Sequence, residues 1–280
     1  MLLTPSILKI NPAETKQKIT RFIKDYVAKT KAKGVVLGMS GGIDSSNNAA
    51  LTALAIGGNK TYGLLMPEKE TKSQIDLTHA QQVAKQFRIK TITIDISKIL
   101  VTVYTSIPNF NNSNLKAKGN LKARTRMMLI YYYANRENLI VSASSDKSET
   151  MIGYYTKYGD AAADIAPQQD LYKTQVRQLA KYIGIPGPII RKPSTPALWP
   201  NQTAEKEIGI EYEKLDLILY GLEHFMETSK IAKQLSLPAR TVELIKKRWL
   251  NSEHKRRTPL APKLAFRTVS KDFRLPYNME

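Results

Sequence analysis

The stretch Gly38-Met39-Ser40-Gly41-Gly42-Ile43-Asp44-Ser45 decides how this chain reads. It follows a short apolar run, precedes a helix-like segment, and lacks the lysine of a nucleoside-triphosphatase phosphate loop. Glycines let a backbone approach a polyanion, successive N–H groups and a following helix N-terminus supply partial positive charge, and serine hydroxyls add donors. Without the lysine the pattern points to pyrophosphate rather than γ-phosphate chemistry, with Asp44 placed to hold the magnesium that accompanies phosphates. The alternative is a Gly-Gly turn whose Asp44 caps a helix, because Asp and Ser are favoured at helix starts.

Working outward, apolar runs at 35–39, 61–66, 91–96 and 139–143 are each separated by enough residues for a helical crossover. This predicts an α/β fold, a doubly wound parallel sheet with helices on both faces. The glycine loop then falls at the carboxyl end of the first strand, where ligands bind in such sheets. Upstream, Ile19, Phe22, Ile23, Tyr26 and Val27 recur at helical spacing after Asn11-Pro12, predicting an amphipathic leading helix over 13–29. An Asn-rich loop at 109–114 precedes a helix over 121–136, whose Tyr131-Tyr132-Tyr133 run reads as packing or a subunit contact rather than base stacking. Pro and Gly make 183–200 a loop, 203–252 reads as helical, and the last residues, with Lys255-Arg256-Arg257, read as an extended basic tail. The expected organisation is one domain: a nucleotide-binding core at 1–200, a helical section at 201–252 and the tail at 253–280.

The chain has 280 residues, 42% of them hydrophobic, enough for one large core or a core with a helical appendage. No apolar run approaches the roughly 18 residues of a membrane helix, and Met1-Leu2-Leu3-Thr4-Pro5 lacks a signal-peptide pattern, so a soluble, cytoplasmic protein is expected. Cysteine is absent, which excludes disulfides, thiolate metal sites and a cysteine nucleophile. A net charge of +19 favours polyanionic partners without choosing among nucleotides, nucleic acid and anionic membrane.

A second stretch, Ser144-Ser145-Asp146-Lys147-Ser148-Glu149, begins at the end of the fourth predicted strand and should face the same crevice as Asp44. Residue types alone leave Glu149 open between a second magnesium ligand and a helix-surface acid, and Lys157 between a contact and a solvated charge. Thr156-Lys157-Tyr158-Gly159-Asp160, Ala163-Asp164-Ile165 and Leu171-Tyr172-Lys173-Thr174-Gln175-Val176-Arg177 follow. The first loop resembles that of the N-type ATP pyrophosphatases, and these later stretches resemble NAD synthetase. So do Lys118-Gly119-Asn120-Leu121-Lys122-Ala123-Arg124-Thr125-Arg126-Met127, Lys192-Pro193-Ser194-Thr195, Gly209-Ile210-Glu211-Tyr212 and Glu253-His254-Lys255-Arg256.

The resemblance implies an amide ligase that makes NAD from deamido-NAD, ATP and ammonia through an acyl-adenylate, releasing AMP and pyrophosphate. By position, Gly38, Met39, Ser40, Gly41, Gly42, Ile43, Asp44 and Ser45 match the pyrophosphate loop. Asp44 and Glu149 match Mg²⁺ ligands, while Ser144, Lys173 and Thr195 match ATP contacts. Asn120, Arg124, Lys157, Asp164, His254 and Lys255 match the deamido-NAD site. Asp160, Lys173 and Asp44 match the catalytic set, with Asp160 standing where ammonium is received or deprotonated. On residue type alone His254 reads as a surface residue, and Arg191 and Lys192 as a solvated pair.

The chain departs from the family at Asn201 and Ala204-Glu205, where Gly and an acidic pair are usual, at Ala143-Ser144, and at Ala161-Ala162. Asn tolerates the left-handed backbone that a turn at Asn201 would need. Asn47 and Asn48, on the helix after the loop, would need partners if they face a core. The length and lack of cysteine leave free ammonia or a separate glutaminase as nitrogen source. The resemblance also implies a homodimer, with neither membrane nor nucleic acid as partner. Other readings are a pyrophosphatase acting on another nucleotide or transfer RNA, and a basic nucleic-acid-binding protein on a synthetase scaffold.

Overall fold

The computed structural model describes residues 1–71, 73–269 and 272–273. A 3-10 turn at Pro5–Leu8 leads into α1 (Pro12–Lys29), where Pro12 needs no amide partner and the Asn11 side chain accepts from the N–H groups of Ala13 and Glu14. The sheet half of the molecule is then β1 (Gly34–Gly38), α2 (Ile43–Ile56), β2 (Thr61–Leu65), α3 (Gln74–Gln86), β3 (Lys90–Thr93), α4 (Ser97–Ser106), α5 (Leu115–Glu137) and β4 (Leu139–Val141). The strands pair in parallel in the order β3-β2-β1-β4. The chain steps outward from β1 to β3 and returns on the other side of β1, so the order reverses between β1 and β4. The crevice beyond their carboxyl ends is where such sheets bind ligands.

Both faces of the sheet are covered. Val35 and Leu37 pack with Ile23 of α1, Leu51 of α2 and Val176 and Leu179 of α7 (Lys173–Tyr182), whereas Val36 and Leu64 pack with Leu100 of α4 and Ala134 of α5. The alternation is the two-residue period of a strand, with apolar residues on both sides because helices lie on both. Tyr131 and Tyr133 join the second cluster, and Tyr132 stays exposed.

Beyond the sheet come α6 (Lys147–Ile152), α7, α8 (Gly187–Arg191), α9 (Ala204–Ile208), α10 (Tyr212–Glu223), α11 (Thr228–Gln234), α12 (Ala239–Asn251) and α13 (Glu253–Arg256). A third cluster joins Leu3 and Leu8 to Ile152, Leu215, Ile218, Ile231, Val242 and Ile245. The sequence reading differs from the structure in three places. α5 starts at Leu115, because the Asn114 side chain accepts from the Ala117 N–H and nucleates the first turn early. The expected loop at 183–200 contains α8, since Pro188 sits in its first turn and Ile189 is fully buried. The tail is not extended from its start: Arg256 donates to the carbonyls of Thr150, Met151 and Trp249 and fixes α13 against α6. Residues 270–271 and 274–280 of that tail lie outside the described residues.

Candidate active site

The glycine loop runs from the end of β1 into α2. Gly41 has φ +77°, and a Cβ there would lie 2.1 Å from the Asp76 carbonyl at the start of α3, so only glycine fits. The loop is tied internally by Ser45 Oγ, which receives the Ser40 N–H at 3.2 Å and lies 3.0 Å from Ser40 Oγ. At Gly42 no side chain caps α2, whereas Asn11, Ser73, Asn114 and Asp146 cap α1, α3, α5 and α6. The first-turn N–H groups of α2 therefore lack the side-chain acceptor that those four helices have, and a bound anion would supply one.

Beside this helix start, the fully buried ammonium of Lys173 lies 2.6 Å from Asp44, 2.8 Å from Asp146 and 2.8 Å from Glu149. Burial opposes its charge, but Asp146, Asp44, Glu149 and the Tyr212 ring beneath it hold Lys173 well above the usual lysine range. Burial pushes Glu149 well up and Asp146 up; Lys173 opposes both shifts, and the neighbouring carboxylates add to them. Oxygens of Asp44, Asp146 and Glu149 all lie within 4.8 Å of one another, and Asp44 Oδ1 is buried without a hydrogen-bond partner. Several carboxylates around one ammonium, with an unsatisfied oxygen among them, form a hard-oxygen donor set that suits a divalent cation such as Mg²⁺.

A buried amide network fixes this corner. Asn48 Nδ2 donates to Ser142 Oγ, to the Ala143 carbonyl and to Ser144 Oγ, joining α2 to the end of β4. Asn47 donates to Gln168, whose own amide donates to the carbonyls of Asp44 and Ser144. Asn48 thus has the partners its burial demands, whereas Asn47 is paired through its amide nitrogen and its Oδ1 is buried without a partner.

Across the crevice, the loop after α6 is held from two sides. Thr156 donates its N–H to Asp160 at 2.9 Å and its hydroxyl to Asn120 of α5 at 2.8 Å. Arg124 donates to the Lys157 carbonyl, Lys157 Nζ to the His254 carbonyl, and Lys255 Nζ to the carbonyls of Gly153 and Tyr155. Asp160 is exposed along the cleft, yet desolvation by the protein packed around its carboxyl raises it above the usual carboxylate range, against the Thr156 N–H and the charges of Lys255 and Arg126. Burial likewise draws Lys255 below the usual lysine range. Asn201 has φ +59°, the left-handed turn its type allows.

These parts line one cleft of about 1510 Å³. It takes in Gly38, Met39, Ser40, Gly42, Ile43, Asp44, Ser45, Asn120, Arg124, Ser144, Glu149, Lys157, Asp160, Thr195, His254 and Lys255. Three residues singled out by sequence stand apart from that lining. Gly41 faces Asp76, Lys173 is enclosed by its carboxylates, and an Asp164 carboxylate oxygen receives the Val141 N–H at the end of β4. The sequence reading did not assign Asp146, Tyr212, Arg126 or Gln168. Asp146 was legible as the helix cap three residues before Glu149, but the other three carry no local signal.

The sheet order and the uncapped phosphate loop at its switch point define an α/β nucleotide-binding protein with the adenine nucleotide alpha hydrolase-like fold. Residues 15–259 match the NAD synthase family. Over 259 residues, 90% of this chain and 97% of its relative, the chain is 46% identical to the NH(3)-dependent NAD(+) synthetase of Methanocaldococcus jannaschii. A solved NMN synthetase from Francisella tularensis superposes with a TM-score of 0.81 at 33% identity, covering 91% of this chain and all (100%) of that one. A glutamine-dependent NAD+ synthetase from Acinetobacter baumannii is matched over 96% of this chain but 50% of its own length, with a TM-score of 0.69 and 30% identity. The chain belongs to the NAD synthase family and is a ligase-type enzyme.

Proposed function

We propose that this ligase amidates deamido-NAD with ammonia, consuming ATP and releasing AMP and pyrophosphate through an acyl-adenylate. The observation that carries the reading is the convergence in one cleft of an uncapped phosphate loop, the Asp44–Glu149 carboxylates and Asp160. An acid attacking a polyphosphate must overcome like-charge repulsion, and the N–H groups at the start of α2 lower it at the phosphates. Asp44 and Glu149, with Asp146 behind them, would hold Mg²⁺, which supplies charge neutralisation at the phosphates. Asp160, raised by the protein packed around its carboxyl, is suited to take a proton from ammonium, which must lose one before its nitrogen can attack. Asn120, Arg124, Lys157, His254 and Lys255 line the part of the cleft assigned to deamido-NAD, and Ser144 and Thr195 the part assigned to ATP.

The same geometry supports the rest of the reading. Met128 and Tyr132 on α5 are exposed, which fits a homodimer contact along that helix. Among the described residues no helix is long and apolar enough to cross a membrane, in keeping with a cytoplasmic enzyme. The nitrogen source on this reading is free ammonia, directly or from a separate glutaminase, in line with the NH(3)-dependent relative. The likeness to an NMN synthetase favours one competing substrate, the nicotinate mononucleotide.

Purified protein given ATP, Mg²⁺ and ammonium is expected to form NAD from deamido-NAD with stoichiometric AMP and pyrophosphate, and to form none with glutamine. Preferred turnover of the mononucleotide would transfer the reading to the competing substrate. AMP release without any amide would move the acceptor outside both.

A further inference from the structure

Arg126 lies midway along α5, on the face that also presents Asn120, Ala123, Met127 and Ile130 to the cleft. Its Nε donates to the Met66 carbonyl just beyond β2, at 3.3 Å. Among the described residues its two terminal amino groups have no hydrogen-bond partner, and the residue is half-buried at the cleft. The acids nearest in charge, Glu68 and Asp160, are already engaged. Glu68 binds Lys122 at 2.8 Å and receives the Glu70 N–H, and Asp160 receives the Thr156 N–H. Desolvation draws Arg126 below the usual arginine range, against the charges of Glu68 and Asp160.

A half-buried guanidinium with an open fork is a receptor for a planar anion, because its two parallel N–H groups match a carboxylate in geometry and charge. Amide formation requires a carboxylate and an ammonium to meet, and Asp160, the acid suited to the cation, feels the charge of Arg126 across the same cleft. We propose that Arg126 recognises the carboxylate of the acid to be amidated and thereby sets the preference for acid over amide. The inference rests on the substrate reading above. It goes beyond that reading in explaining release: the amide product has no anionic fork to present, so it binds this point weakly once the bond is made.

The test is binding without turnover, by calorimetry on the intact protein in the absence of ATP, with deamido-NAD and NAD as paired probes. Wild-type protein is expected to bind the acid more tightly than the amide. Arg126→Gln should weaken the acid by about tenfold to a hundredfold and leave the amide within about twofold, with Arg126→Lys recovering part of the acid affinity. A thermal melt establishes first that each variant is folded, and the lysine variant keeps the charge if the glutamine one is not. If wild type prefers the acid and Arg126→Gln keeps that preference, or loses both ligands equally, the inference falls and the substrate reading stands. If wild type binds neither probe, or shows no preference, the inference falls as well, and in the first case the substrate reading falls with it.

Discussion

Asp160 combines two properties that usually exclude each other: its surface is exposed along the cleft, and its carboxyl is nevertheless raised. Desolvation by the surrounding protein raises that carboxyl, so the linkage has a definite sign. The folded state holds the proton more tightly than the unfolded chain, so the contribution to stability is full below the unfolded carboxylate pKa and is lost as pH rises through the raised value. Asp160→Asn removes the charge while its side-chain oxygen can still receive the Thr156 N–H. The variant is therefore expected to melt no lower than wild type at pH 8, while ammonia-dependent turnover drops by about 10²–10⁴-fold. Scanning calorimetry and initial rates measure the two effects separately; a variant that loses both together would make Asp160 a structural residue. In wild type, activity should fall as pH is lowered through the raised Asp160 pKa, because the proton acceptor is then filled. Lys173 shows the limit of residue-scale reading. Its identity was legible, but its enclosure by Asp44, Asp146 and Glu149 depends on segments 129 and 24 residues away.

At the scale of elements, α10 locks α6 and α7 together. Asp216 receives the Ser148 hydroxyl at 2.5 Å and the Thr174 N–H at 2.8 Å, and Ser148 Oγ in turn receives the Lys173 N–H at 3.0 Å. One carboxylate thus positions both the helix that carries Glu149 and the one that starts with Lys173. Burial pushes Asp216 up to about 7, while the bonds from Ser148 and Thr174 oppose the shift. Its contribution is fully present below the unfolded carboxylate value and is lost as pH rises through about 7. Unfolding free energy from urea titrations is expected to fall by a few kcal/mol between about pH 4 and 8 in wild type, and the slope should flatten in Asp216→Asn. An unchanged slope would assign the pH dependence elsewhere. Elements also differ in legibility. α1 was readable because its period and its Asn11-Pro12 start agree, whereas α8 and α13 are short and lie in Pro-rich or basic sequence. Ile189 fixes the first by burial, and Arg256 fixes the second by reaching carbonyls about a hundred residues away.

At the scale of the whole molecule, three apolar clusters surround a cleft that none of them fills. Residues near the C-terminus close one wall, since His254 and Lys255 line the cleft and Lys255 clamps the loop between α6 and Asp160. The described residues from Thr258 to Lys263 are exposed and lie outside the lining. A chain ending at Arg257 is therefore expected to keep the melting temperature and the KM for deamido-NAD. One ending at Ser252 should raise that KM by about tenfold or more through loss of the charged contacts. Steady-state kinetics on the two truncations distinguish the wall from the tail; equal effects would place the function of this region beyond residue 257.

The sequence by itself determined the phosphate loop, the parallel doubly wound sheet and the family, because each rests on local requirements. A positive φ and a backbone contact demand glycine at Gly41, strand alternation follows from backbone geometry, and helix starts follow from unsatisfied N–H groups. Only the tertiary structure decided how the charges are shared. It set Lys173 among carboxylates rather than in the open cleft, and gave Asn47 and Asn48 their amide and hydroxyl partners. It also left the Arg126 fork open beside an occupied Asp160. Those outcomes depend on which distant groups packing brings within a few ångströms, and on how much water it removes from each, which no local pattern encodes.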